Sequence, residues 1–278
     1  GIKTDSGEKK FYDKVIVAVG RSGNAWMQEM ASRYKIESDI NPVDIGVRVE
    51  IPKSVSDAFT EILYEFKIKY HTNEFEDEVR TFCVNPGGYV AQEINQNNLI
   101  TVNGHSYKNR KSENTNFALL VSTKFTEPFK EPVKYGQYIA YLANMLSGGN
   151  IIVQRFGDLL RGRRSTESRI RKNFVIPTLK TAMPGDLSFV LPYRYLTNIK
   201  ETIFQLDKVM PGVADPNTLL YGVEVKFYSL RIKVDNNLKS ISLANLYCIG
   251  DGAGVTRGII QASASGLIAA NSIISELK

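Results

Sequence analysis

The end of the chain combines a short apolar strand with a cluster of glycines, and this combination constrains the fold more than any other segment. Residues 243–266 read LANLYCIGDGAGVTRGIIQASASG, in which the apolar run stops at Gly250 and a helix of small residues follows. Glycines at a strand end let the backbone approach a ligand closely. The N–H groups at the start of the next helix favour negative charge there. The segment therefore predicts a strand-turn-helix unit built around a bound ligand.

Four further segments accompany it: VIVAVGRSG (15–23), FCVNPGGY (82–89), NGHSY (103–107) and NTNFALLV (114–121). With the terminal segment, they make the chain resemble the FAD-dependent oxidoreductases with a dinucleotide-binding fold. Within that class it resembles the poorly characterised FAD-dependent dehydrogenases also described as NAD-utilising. The resemblance implies FAD as cofactor and hydride transfer between a small-molecule substrate and the flavin. It also implies NAD(P) as a further redox partner.

Proteins of this family open with a strand, a G-x-G-x-x-G turn and a helix that hold the ADP half of FAD. This chain has no such segment. We therefore expect it to be the C-terminal part of a longer protein whose ADP-binding unit lies upstream.

The resemblance implies an α/β fold with mixed α+β character. Residues 1–45 and 235–278 are expected to form a truncated FAD/NAD(P)-binding Rossmann-like domain from both chain ends. Residues 46–234 are expected to form an inserted substrate or catalytic domain of mixed β-sheet and helices. No internal repeat or low-complexity linker interrupts this arrangement.

Hydrophobic periodicity places several elements along the chain. It predicts a strand at 14–19 and a helix at 24–34. It also predicts a helix at 56–64 that begins near Ser56, a residue type that favours helix starts. Strand-like runs at 79–84, 89–94 and 99–103 are separated by turn residues, which is typical of an antiparallel meander.

The resemblance also implies which residues contact the flavin. Asp251 stands at a buried strand end, where a carboxylate accepts hydrogen bonds from ribityl hydroxyls; a helix cap is the structural alternative. Pro86, Gly87 and Gly88 resemble the segment that lies over the flavin ring, with a tight hairpin turn as their alternative. The implied cofactor set is Gly20, Arg21, Ser22, Pro86, Gly87, Gly88, Gly250, Asp251, Gly252, Ala253, Gly254, Thr256, Arg257, Gly258 and Ile259.

The candidate catalytic residues lie in the middle of the chain. Cys83 is either a redox thiol that works with the flavin or a small buried apolar residue. His105, Tyr107 and Arg110 can meet a substrate anion or pass a proton, and a polar surface turn is the alternative for them. Cys248, within a core strand, is expected to be inert.

A basic segment at 161–172, from Arg161 to Lys172, contributes to the net charge of +6. Such a segment is typical of a solvated helix face, with Ser165 or Thr166 capping its start. It also fits contact with RNA or another polyanion. Two rival functions therefore remain beside the oxidoreductase: a non-catalytic polyanion-binding module and a flavin-dependent enzyme that modifies RNA.

The composition indicates a cellular compartment for the protein and bears on whether it contains disulfides or a metal site. Hydrophobic residues make up 43% and charged residues 23%, which is typical of a globular protein. No apolar run approaches the length of a membrane span, and the first residues lack the apolar core of a signal peptide, so we expect a cytoplasmic protein. Two cysteines and two histidines indicate neither a disulfide framework nor a metal site.

Overall fold

The computed structural model describes residues 1–95, 98–126, 128–129, 131–228 and 230–277. The chain divides into two compact units. Unit 1 consists of Gly1–Pro42 and Tyr228–Lys278, and unit 2 is the continuous segment Val43–Phe227. Helices and strands are present in both units, so the fold is mixed α/β.

The strands are β1 Ile2–Lys3, β2 Lys9–Lys10, β3 Val15–Val17, β4 Ser38–Asp39, β5 Val43–Pro52, β6 Lys69–His71, β7 Glu78–Asn85, β8 Tyr89–Ile94, β9 Ile100–His105, β10 Asn114–Thr123, β11 Ile152–Arg155, β12 Met183–Pro184, β13 Leu219–Lys226, β14 Arg231–Ile232 and β15 Leu246–Cys248. The helices are α1 Asn24–Tyr34, α2 Lys53–Thr60, α3 Pro132–Ser147, α4 Phe156–Leu160, α5 Glu167–Arg171, α6 Tyr193–Asp207 and α7 Ile259–Glu276.

Unit 2 is built on a seven-stranded sheet in the order β12-β11-β13-β5-β10-β7-β6. Its strand pairs are antiparallel except for β11 and β12, which are parallel. The central strand β5 is buried along nearly its whole length. Because successive side chains point to opposite faces of a strand, both faces of this sheet must be covered.

Each face of the sheet carries its own core. On one face, Val47 and Val49 of β5 pack in a large cluster that includes Ala140 of α3 and Ile199 of α6. A second cluster joins β11 and β13 to the two-stranded hairpin of β8 and β9. The sheet is therefore the middle layer of unit 2.

Unit 1 contains a parallel pair of strands, β3 and β15, in which Ile16 stands opposite Tyr247. Its core cluster includes Met27 and Ala31 of α1 together with Cys248 of β15. Burial raises the pKa of the Cys248 thiol to about 11, in line with the inert role expected for it.

The domain boundaries of the structure differ from the predicted ones by several residues. Residues 43–45 belong to unit 2, because β5 runs unbroken from Val43 through the sheet. Residues 228–234 belong to unit 1, because β14 pairs with β4. A boundary inside either strand would separate hydrogen-bonded partners.

Two predicted elements also differ from the structure. Helix α2 begins at Lys53, directly after β5, and Ser56 lies inside it, where its hydroxyl donates to Thr115 Oγ1 at 2.8 Å. The predicted meander is confirmed in part: β8 and β9 form an antiparallel pair, but among the described residues β7 pairs with β6 and β10 of the large sheet and not with β8. Among the residues described, no helix combines the length and the apolar character that crossing a bilayer requires.

Candidate functional site

The parallel strands of unit 1 end in two similar turns. After β3, Gly20 has φ 66° and ψ −177°, and a 3₁₀ turn follows at Arg21–Gly23. After β15, Gly250 has φ 74° and ψ −171°, and a 3₁₀ turn follows at Asp251–Ala253. Positive φ strains a residue that has a Cβ, so glycine is the residue that suits both positions.

The two turns are packed against each other and against helix α7. A Cβ on Gly252 would lie 2.3 Å from the carbonyl oxygen of Gly20, so the second turn can approach the first only with glycine there. The backbone N–H of Gly250 donates to Ser265 Oγ of α7 at 3.1 Å. These contacts fix both strand ends beside the start of the helix.

A concavity of about 290 Å³ opens at these strand ends. In the described part of the chain, no non-neighbouring heavy atom lies within 4 Å of the place where a Cβ on Gly20 or Gly258 would stand. The backbone is therefore open to a ligand. The concavity is lined by Ala18, Gly20, Arg21, Ile249, Gly250, Asp251, Gly258, Ile259 and Ala262.

Asp251 is the acidic group of this concavity. Its Oδ1 accepts hydrogen bonds from Thr256 Oγ1 at 2.6 Å and from the Gly258 N–H at 3.1 Å. Its Oδ2 accepts from Arg21 Nε at 3.1 Å. Burial raises the pKa of Asp251, but these donors outweigh it and hold the pKa below its ordinary value. The carboxylate is therefore ionised at neutral pH, and its side chain keeps 16% exposure.

Four other predicted cofactor residues of unit 1, Ser22, Ala253, Gly254 and Arg257, are not among the residues that line this concavity. Arg257 places its guanidinium 4.1 Å from the centre of the Tyr228 ring. Ala253 is buried in the core cluster of the unit. Gly254 turns the chain with φ 69°, and Ser22 lies within the first 3₁₀ turn.

In unit 2, Cys83 occupies an irregular point of strand β7. The register between β7 and β10 shifts between Asn116 and Ala118, which is the pattern of a β-bulge. Cys83 has φ 49°, a conformation that costs free energy for a residue with a side chain, and its thiol is free and partly exposed. The bulge thus turns Cys83 out of the regular strand pattern.

Beneath Cys83 lies a buried arginine. The Arg48 guanidinium donates to both carboxylate oxygens of Glu224, at 2.8 and 2.9 Å, and to the carbonyl oxygen of Cys83 at 2.9 Å. Burial lowers the pKa of Arg48, but Glu224 outweighs this effect and raises it above its ordinary value. A Cβ on Gly104 would lie 2.3 Å from Arg48 Nη1, so the guanidinium fits only beside a glycine.

Amide side chains connect this arginine to the cysteine. Asn116 Oδ1 accepts from Arg48 at 2.9 Å. Asn85 Nδ2 donates to the Cys83 carbonyl at 2.8 Å and lies 3.7 Å from its sulfur, while Asn103 Oδ1 lies 4.0 Å from that sulfur.

His105, Tyr107 and Arg110 lie together at the end of the β8–β9 hairpin. The ring centres of His105 and Tyr107 are 4.4 Å apart. Tyr89 joins the group, with its ring centre 5.4 Å from that of Tyr107 and its hydroxyl accepting from Arg110 Nε at 3.0 Å. Ser106 donates to Asn85 Oδ1 at 3.1 Å, which connects this group to the surroundings of Cys83.

The predicted flavin contacts Pro86, Gly87 and Gly88 also lie in unit 2, where they form the turn between β7 and β8. Gly87 has φ 60°, and its carbonyl accepts from the Ser112 N–H at 2.8 Å. A Cβ on Gly88 would lie 2.8 Å from the carbonyl oxygen of His105. The glycines close a turn against the hairpin, and their contact with flavin stays a prediction.

Part of the basic segment is neutralised within unit 2. Asp158, which is buried, accepts from Arg163 Nε and Ser165 Oγ at 2.8 and 2.9 Å, and Arg169 Nε lies 3.9 Å from its Oδ1. Thr166 caps α5 by accepting from the Arg169 N–H, so of the two predicted capping residues Thr166 has that role.

Several buried polar residues around Cys83 were not predicted from the sequence. Their signal was present in β5, where Asp44, Arg48 and Glu50 alternate with apolar residues. All three are buried, so the second face of that strand is a polar interior rather than a solvated surface. The residues concerned are Arg48, Asn85 and Glu224, which are all buried.

Comparison with known proteins adds independent findings. Residues 42–227, which nearly coincide with unit 2, match the family model described as FAD-dependent protein, C-terminal domain-like. An uncharacterized protein of Clostridium beijerinckii (strain ATCC 51743 / NCIMB 8052) is 29% identical over 282 aligned residues, which cover 95% of this chain and 52% of that protein. The chain thus spans about half the length of this curated relative. Because the family model matches most of the chain, the chain belongs to the FAD-dependent protein family, in its C-terminal domain-like part.

Proposed function

We propose that this chain forms part of an FAD-dependent oxidoreductase, in which unit 1 is the Rossmann-like portion that contacts the cofactor. The concavity at the ends of β3 and β15 carries this proposal. Parallel strands that end in glycine turns beside a helix start are the usual place for a dinucleotide in open α/β folds. When bound, FAD supplies hydride exchange with an organic substrate.

The residues of the concavity fit such a cofactor. The open backbone at Gly20 and Gly258 leaves room for close approach of a ligand. The carboxylate of Asp251 is an acceptor suited to sugar or ribityl hydroxyls, and the N–H groups at the start of α7 suit negative charge. Together these residues offer one acceptor for hydroxyls and one set of donors for an anion.

Arg21 and Thr256 have a positioning role in this proposal. Their hydrogen bonds hold the carboxylate of Asp251 in one orientation and keep it ionised. An ionised carboxylate only accepts hydrogen bonds, so it selects a ligand that donates.

In unit 2, we assign substrate handling to two neighbouring groups of residues. Arg110 can bind a substrate anion, because guanidinium donates strongly, and His105 can exchange a proton with the substrate, because imidazole nitrogens both donate and accept. Cys83, next to two amides, is proposed as a thiol with redox duty. NAD(P) is proposed as the second redox partner on the strength of the resemblance alone.

Replacing Asp251 tests the cofactor site. In the protein produced at its native length, Asp251→Ala is expected to weaken flavin binding by about 10- to 100-fold, since a hydrogen bond to a charged group contributes roughly 1.5–3 kcal/mol. Asp251→Asn keeps an acceptor for Thr256 and Gly258 and should lose less flavin. The measurement is the ratio of flavin absorbance, near 450 nm, to protein.

Asp39→Ala is the matched control, because it removes an exposed carboxylate of the same unit. It should leave the flavin content unchanged. If Asp251→Ala melts at the temperature of the unmodified protein and keeps a full complement of flavin, the site assignment is wrong.

A further inference from the structure

Unit 2 contains a second concavity, apart from the residues discussed so far as catalytic candidates. It has a volume of about 470 Å³ and lies between helix α5 and residues 176–184. This volume is within the range of about 300–1,000 Å³ that small-molecule sites occupy. The concavity is therefore large enough for a ligand of its own.

The floor of this concavity is apolar. Val153 belongs to the second core cluster of unit 2, and Ile170, Leu179 and Ala182 pack against that cluster while remaining partly exposed. The core is thus open to the surface at this point. An apolar group placed there would be removed from water, which is the main source of favourable binding free energy.

Charged side chains stand at the mouth of the concavity. Arg171 and Lys180 carry positive charge and Glu167 carries negative charge, so the rim has a net charge of one positive unit. Across the described ranges, no ion pair involves Arg171 or Lys180, whereas Arg163 and Arg169 are held close to Asp158. The rim therefore offers two cations that form no ion pair with any described residue.

We propose that this concavity binds an amphipathic monocarboxylate, with its apolar body on the floor and its carboxylate between Arg171 and Lys180. An apolar floor excludes a polyanion as the fitting ligand, and an uncharged ligand would leave the two cations unused. The residues all lie in unit 2, and the proposal does not depend on the flavin site of unit 1.

Octanoate is the probe, because its roughly ten non-hydrogen atoms suit a site of this size. Ligand efficiencies imply a dissociation constant on the order of 0.1–1 mM for such a molecule. Isothermal titration calorimetry should show octanoate binding at one site per chain. Octylammonium, with the same chain and opposite charge, should not bind measurably.

Two variants test the two halves of the site. Arg171→Gln with Lys180→Gln is expected to weaken octanoate binding by about 3- to 30-fold, since each of the two exposed ion pairs is worth a few tenths to one kcal/mol. Ala182→Leu is expected to abolish binding by filling the floor.

The matched control changes the same amount of charge elsewhere: Lys172→Gln with Lys208→Gln, both at exposed lysines. It should bind octanoate like the unmodified protein. If the Arg171 and Lys180 variant binds octanoate as tightly as the control, or if octylammonium binds as well as octanoate, the proposal is overturned. The charge variants alter only exposed side chains, so they decide the question even if Ala182→Leu fails to fold.

Discussion

Arg48 shows how a single residue can define the interior of unit 2. Its side chain is fully buried, and so is that of Glu224, which it contacts with two hydrogen bonds. Lys226 Nζ lies 3.1 Å from the same carboxylate. Taking charges out of water is costly, and the pair is tolerated because each group satisfies the other. Losing one partner would leave an uncompensated charge in the core.

We therefore expect Glu224→Ala to destabilise the protein by about 3–5 kcal/mol, since it leaves the buried Arg48 guanidinium without its carboxylate partner. The combination Arg48→Met with Glu224→Leu should recover part of that loss, because apolar residues of similar volume need no partner, while Asn116 Oδ1 loses the donor that Arg48 supplies. Urea unfolding of both variants provides the measurement.

The exposed pair of Lys69 and Glu78 is the control for this comparison. Lys69→Ala should cost less than about 1 kcal/mol, as exposed ion pairs do. If Glu224→Ala lowers the free energy of unfolding by no more than Lys69→Ala does, the buried pair does not matter to stability.

Residues that are marked by their neighbours along the chain could be singled out from the sequence. Residues whose hydrogen-bond partners are distant in sequence could not. Asp251 was singled out because Gly250 and Gly252 flank it, and its contact with flavin stays a prediction. Arg48 was not singled out, because its partners Asn116 and Glu224 lie 68 and 176 residues away. Only the pairing of β5 with β10 and β13 brings them together.

The elements of the fold depend in the same way on local and distant causes. Helix α1 was predicted with the observed bounds Asn24–Tyr34. Lys35, directly after the helix, adopts the left-handed conformation. The predicted strand 89–94 likewise coincides with β8. The pairing of β8 with β9 was predicted correctly, but its pairing with β7 was not, because alternation defines a strand but not its neighbour.

Two helical glycines provide a contrast at the level of elements. A Cβ on Gly266 of α7 would lie 3.9 Å from Ile249 Cδ1, which is ordinary contact. Gly266→Ala should therefore stabilise the protein by about 0.5–1 kcal/mol through its helix propensity.

A Cβ on Gly136 of α3 would lie 3.0 Å from Phe227 Cε1 and from Val225 Cγ1. Gly136→Ala should instead destabilise it by about 1–3 kcal/mol through overpacking. Denaturant unfolding of the two variants would show opposite shifts, and equal shifts would refute the packing argument.

The whole molecule consists of two units whose cores are separate in composition. The two larger hydrophobic clusters contain only residues of Val43–Phe227, and the third contains only residues of unit 1. Unit 2 is also continuous in sequence. It therefore meets the usual requirements of an independently folding domain.

We expect the fragment Val43–Phe227 to fold on its own with a cooperative transition, which circular dichroism and thermal unfolding would detect. A fragment of residues 46–227 is its control. It lacks Val43 and Ile45, whose burial contributes roughly 1.5–3 kcal/mol each, and should be less stable by about 3–6 kcal/mol. Equal stability of the two fragments would contradict the boundary given by β5.

The paired ends of unit 2 have a practical consequence. Strand β5 brings the chain in at Val43 and β13 takes it out at Lys226, and Asp44 stands opposite Lys226 in the ladder. Facing residues of antiparallel strands are only about 5 Å apart. The two ends of unit 2 are therefore close enough to be joined to neighbouring residues of another protein. Unit 2 could be inserted into a surface hairpin of an unrelated protein without separating the two strands of that hairpin.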